Sequence, residues 1–85
     1  MTRCWLVERS YDDRDLVNLV YATEDGERAV RKEVPMSAIA NGSVTVTAAK
    51  EADESTLESV DDGDVARYRA EVERVRADHA PDDEI

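Results

Sequence analysis

Phenylalanine is absent from this chain, and cysteine, histidine and tryptophan each occur once. With Cys4 alone, no intramolecular disulfide can form and an oxidising compartment is not implied. The three glycines, Gly26, Gly42 and Gly63, stand singly, so no glycine-rich phosphate loop exists. Long apolar runs are also missing: stretches such as Leu19 to Ala22 fall far short of the ~18–20 residues that span a bilayer. The apolar run near the start, flanked by Arg3, Glu8 and Arg9, is too short for a signal-peptide core. These absences predict a soluble, cytoplasmic protein with no membrane partner. Leu and Ile together number 6, whereas Val and Ala number 11 each, so the core is built from small aliphatics. A chain of 85 residues buries roughly 60% of its unfolded surface, which excludes a large enzyme with a deep, enclosed site.

What is present in excess is carboxylate. Asp and Glu total 21 against 11 Lys and Arg, a net charge of −10, and only Lys32 and Lys50 are lysines. At molar salt the screening length falls to ~3 Å, so the self-repulsion of such a surface nearly vanishes while its carboxylates hold water. The composition therefore predicts a halophilic protein of a haloarchaeal cytoplasm, and its acidity reports habitat rather than partner. The charge is unevenly placed: residues 1–50 net −1 and residues 51–85 net −9.

The first half carries strand signals. Cys4 to Val7 and Leu16 to Thr23 are rich in strand formers, and Asp25-Gly26 is a hairpin signal leading into a third strand over Glu27 to Val34. A turn centred on Asp25-Gly26 pairs Tyr21 with Val30, Leu19 with Lys32 and Val17 with Val34. It also sets Glu24 against Glu27, a conflict that a three-residue loop with a bulge would relieve. Pro35 ends the third strand, residues 36–42 offer one helical turn, and Ser43 to Ala49 alternates as a fourth strand. Residues 50–59 read as loop with room for a short strand. From Asp61 to His79 the period becomes helical, with Val65, Tyr68, Val72, Val75 and His79 on one stripe and Asp61 at the N-cap. Pro81 closes the helix.

Candidate chemistry is sparse. Asp61, Asp62 and Asp64 lack the alternate spacing of a calcium loop and read as helix-start residues. Cys4 and His79 match no cysteine-enzyme signature, and too few ligands exist for a zinc site. No catalytic, cofactor-binding or metal residues are assigned, and an enzyme is not expected. Arg3, Arg9, Arg28, Arg31 and Lys32 form a candidate basic patch in the strand half, interleaved with Trp5, Tyr11 and Tyr21. That half still nets −1, and counterion release is weak in molar salt, so nucleic acid is not the expected partner. Trp5 has two readings: it emerges with Val7 beside Leu16, Val20 and Ala22 on the sheet's second face, or it anchors the core with Cys4 and Leu6 outward.

The stretch CWLVERSYDDRDLVNLVYATEDGERAVRKE, followed by NGSVTVTAA and by RADHAPDDEI, resembles a group of small acidic haloarchaeal proteins of unknown function. The resemblance implies no activity and no site residues. The residues themselves predict an α+β domain over 1–80, an antiparallel sheet of four or five strands with one C-terminal amphipathic helix on one face, and a disordered acidic tail over 81–85. One helix covers one face, so the other is expected to pair with a second copy through Trp5, Val7, Leu16, Val20 and Ala22. The expected function is a protein-interaction module acting as a homodimer, with an unidentified protein as another partner. The alternative is a regulatory or nucleic-acid-binding module using the Arg-rich half.

Overall fold

The computed structural model describes all residues, 1–85. Strands β1 (Thr2–Tyr11), β2 (Leu16–Ala22), β3 (Arg28–Pro35), β4 (Ala49–Ala52) and β5 (Glu58–Ser59) form one antiparallel sheet in the order β4-β1-β2-β3-β5. A short helix α1 (Met36–Ala40) follows β3, and the long helix α2 (Asp62–Asp78) packs on one face. The α+β architecture expected from the sequence is the one observed.

The β2–β3 register is also as expected: Tyr21 opposes Val30, Leu19 opposes Lys32 and Val17 opposes Val34. The turn that sets it is longer than two residues. The Thr23 amide donates to the Arg28 carbonyl at 2.9 Å and the Gly26 amide to the Thr23 carbonyl at 2.8 Å. Gly26 alone in the loop has positive φ, +74°, so the Asp25-Gly26 pair does not form a type I′ turn. Adding one residue on each side leaves the loop's centre in place, which is why the register survives the different turn. A Cβ on Gly26 would lie 2.6 Å from the Val65 carbonyl oxygen, so the loop tip rests directly on the α2 backbone.

The core has two layers. Under α2 lie Trp5, Val7, Val20, Ala22, Ala48, Ala49, Tyr68, Val72 and Val75. On the opposite face lie Cys4, Leu6, Val17, Leu19, Tyr21, Val34, Val46 and Ala52. Trp5 is therefore a core anchor beneath the helix, as the second of its two readings has it, but Cys4 and Leu6 are not outward as that reading expects: both are buried in the other layer, and the expected bare face does not exist. Topology supplies the reason. The chain leaves β3 on one side of β1 and β2 and must re-enter as β4 on the other, so residues 36–48 cross the second face and bring Ala38, Ile39, Val44 and Val46 onto it. Leu57 packs against the same layer from the next connection. The expected fourth strand over 43–49 is likewise shifted: the regular strand is Ala49–Ala52, and Val44 and Val46 alternate inward within an irregular crossover.

A β-bulge at Val7 shifts the β1–β2 register between Leu6–Tyr21 and Glu8–Val20. Beyond it Arg9 opposes Leu19, which turns its side chain to the second face, where Nη1 donates to the Ile85 carbonyl at 3.0 Å. Where a disordered tail is expected over 81–85, the tail lies alongside 46–49 as an extra strand-like segment. Ala48 N–H donates to the Asp83 carbonyl at 2.8 Å, Ala49 N–H to Pro81 at 2.9 Å and Ile85 N–H to Val46 at 2.9 Å. The open edge of 46–49 offers unpaired backbone groups, and the half-buried Ile85 reaches both core layers, so pairing outweighs the tail's charge.

Candidate interaction surface

The five residues expected to form an exposed interface are not exposed. Trp5, Val7, Val20 and Ala22 are at most 8% exposed beneath α2, and Leu16 is half-buried beside Pro35 and Met36. A face-to-face dimer through them would require α2 to lift away. The Trp5 Nε1 donor is buried there without a partner.

The five basic residues are ordered but do not form one patch. Arg3 meets Glu51 across the β1–β4 pair at 3.4 Å, and Arg9 is tied to the C-terminal carbonyl. Arg31 opposes Val20 and so shares the α2 face, whereas Lys32 opposes Leu19 and Arg28 alternates with it on the second face. Lys50 lies on that second face with its Nζ 5.5 Å from the Tyr21 ring centroid, its pKa lowered by burial and then by the neighbouring Lys32 charge. The aromatics interleaved with these cations in sequence are not available for stacking, since Trp5 and Tyr21 are buried and only Tyr11 is exposed.

Cys4 is fully buried, its Sγ near the Thr2 carbonyl at 3.7 Å, and burial pushes its pKa up despite the nearby Lys50 charge. Burial of this kind favours the protonated thiol over the thiolate. His79 caps the far end of α2, with Nδ1 4.0 Å from Asp83, a contact that becomes an ion pair on protonation. Asp61 occupies the N-cap position of α2 but accepts no hydrogen bond there through its side chain. A cleft of about 330 Å³ lies between the start of α2 and β3, lined by Arg31, Glu58, Asp61 and Asp64 above Val20 and Tyr68.

The surface that residue-by-residue reasoning missed is the outer edge of β3. Because Thr23 and Arg28 form a hydrogen-bonded pair, alternation makes Tyr21–Val30, Leu19–Lys32 and Val17–Val34 hydrogen-bonded pairs too. Val30, Lys32 and Val34 thus turn their backbone groups toward β2, and Ala29, Arg31 and Glu33 turn theirs outward. β5 takes only the first of these, pairing Arg28 with Ser59 and Ala29 with Glu58. The N–H and C=O of Arg31 and Glu33 have no protein partner, and all three side chains from Arg31 to Glu33 are exposed.

The whole chain, residues 1–85, matches the family described as Family of unknown function (DUF7967), and the protein belongs to that family. No curated protein and no solved structure matches it.

Proposed function

We propose that the chain is a non-enzymatic protein-interaction module that works as a homodimer in a salt-rich cytoplasm, joined through the outer edge of β3 rather than through a sheet face. One observation carries this reading: both sheet faces are covered by the chain itself, while the β3 edge beyond β5 keeps the outward backbone groups of Arg31 and Glu33 unpaired. An edge strand is a template for another strand, and edge pairing is an established mode of protein recognition. Burying the orphan groups between two copies satisfies them without disturbing either core. The contact is short, so the dimer belongs with weak, small-area interfaces. Nucleic-acid binding has less support, because the cations divide between two faces and Tyr11 is the one exposed aromatic.

Light scattering in about 2 M KCl tests the reading. A mass roughly twice 9.5 kDa at high micromolar concentration supports it, and 9.5 kDa throughout that range overturns it. The salt-rich setting has its own test. The net charge of −10 predicts an unfolding midpoint that rises steadily from about 0.1 M to about 2 M KCl, and a flat or falling midpoint contradicts it.

A further inference from the structure

The edge of β3 also restricts which dimer can form. Resting on the homodimer reading above, we infer that two copies join antiparallel about a two-fold axis at Lys32, with Arg31 of each chain opposite Glu33 of the other.

Backbone geometry leaves three registers. Only Arg31 and Glu33 present outward N–H and C=O groups on the free edge, since Ala29 is taken by β5 and Pro35 has no N–H. A hydrogen-bonded antiparallel pair joins two outward residues and exchanges both of their bonds. Centring on Arg31 sets arginine against arginine and directs Glu33 at Ala29, which already has a partner. Centring on Glu33 sets carboxylate against carboxylate and directs Arg31 at Pro35. Centring on Lys32 pairs Arg31 with Glu33 twice, uses every free N–H and C=O of the two residues, and forms four backbone hydrogen bonds.

Charge selects the same register. Neither Arg31 nor Glu33 takes part in an ion pair within its own chain, so both are free for a cross-strand partner. Both project on the α2 face, because Arg31 opposes Val20 and Glu33 opposes Asn18. Opposite charges set directly across a ladder attract and like charges repel, so two of the three registers are penalised and one is favoured. In the favoured register Pro35 of each chain meets the position beside Ala29 that β5 fills, so the new ladder ends at Val34, and one conflict remains: Lys32 faces its own copy on the second side of the sheet. Apolar pairing of Val30 with Val34 flanks it.

The conflict makes the register testable. Sedimentation equilibrium at the lowest salt that keeps the chain folded should show Arg31→Glu and Glu33→Arg each weakening self-association by about tenfold or more. The double variant Arg31→Glu/Glu33→Arg should restore it to within about threefold, because the opposed charges are merely exchanged. Lys32→Thr should tighten the dimer by about threefold or more, an outcome specific to the register in which Lys32 meets itself. Thermal melts check that all four variants fold, as expected for exposed positions. A wild-type chain that stays monomeric overturns the homodimer reading and this register together. A wild-type dimer unmoved by either single reversal, or weakened by Lys32→Thr, overturns the register and leaves the homodimer standing.

Discussion

The two sides of the sheet end differently. Next to β1 the chain closes the start of its own edge: residues 81–85 run beside 46–49 and take up the backbone groups of Val46, Ala48 and Ala49, leaving only Glu51 of β4 turned outward beyond them. Next to β3 it supplies a two-residue strand, covers Arg28 and Ala29, and stops. Residues 46–49 are paired with hydrogen bonds and a half-buried Ile85, while the edge of β3 is left with Arg31, Lys32 and Glu33. The difference is one of chemistry as well as length. The sealed edge is small and apolar (Val46, Ala48, Ala49), and the open one is charged but self-complementary. Charge on an edge ordinarily blunts association. Here its alternation allows one antiparallel partner and opposes the others.

The sharpest way to break the comparison is to place proline at neighbouring positions of β3. Lys32→Pro removes an N–H that alternation assigns to the β2 ladder and should destabilise the fold by roughly 2–3 kcal/mol or more, read as a lowered denaturant midpoint. Arg31→Pro removes an N–H that points outward and should cost the monomer under about 1 kcal/mol while weakening self-association. Equal effects on stability would show that the assignment of inward and outward groups is wrong.

Converting the sealed edge into an open one is the next test. Ending the chain at Ala80 removes the three backbone hydrogen bonds to 46–49, the turn bond from Asp83 to Ala80 and the Arg9 contact, an expected loss of roughly 2–4 kcal/mol. The amides of Ala48 and Ala49 should lose their protection from hydrogen exchange, and those within the β2–β3 ladder should keep theirs. Unchanged exchange at Ala48 and Ala49 would mean that the tail does not close that edge.

The smallest effect concerns the loop that leads into the open edge. Asp25 accepts from the Thr23 hydroxyl at 2.6 Å and the Glu27 amide at 2.9 Å, and these bonds hold its pKa below the ordinary carboxylate value. A carboxylate whose pKa is lower in the folded state contributes stability that is fully present above its unfolded pKa, near ~3.9, and is lost as pH falls through the lower folded value. Asp25→Asn should therefore lower the thermal midpoint slightly at neutral pH and narrow the gap to wild type in acid. A gap that widens in acid contradicts this role.

Much of the fold was legible because it is local. The helix stripe of Val65, Tyr68, Val72 and Val75 and the β2–β3 register follow from period and turn position, and both survive small errors, as the longer Thr23–Arg28 loop demonstrates. Strand order was not legible, and three further features depend on it. Without knowing that β4 lies beyond β1, nothing in residues 36–48 announces a crossover, so Val44 and Val46 read as a strand and the second face as bare. The same gap hid the edge: Arg31 and Glu33 alternate visibly in sequence, but only the position of β3, flanked by a two-residue β5, makes their outward groups available. The tail was misjudged because Asp82, Asp83 and Glu84 suggest solvent, whereas their backbone, not their side chains, makes the contact. Of the basic residues, alternation alone separates Arg31 from Lys32, so one sequence cluster could not be one surface.

The central claim is that residues 46–49 are closed within the chain and the β3 edge between chains. Residue-resolved amide hydrogen exchange, measured from low to high micromolar protein, tests both halves in a single experiment. The account predicts that Ala48 and Ala49 are protected at every concentration, while Arg31 and Glu33 exchange freely in dilute protein and slow together as concentration rises. Fast exchange at Arg31 and Glu33 across the whole range would contradict it.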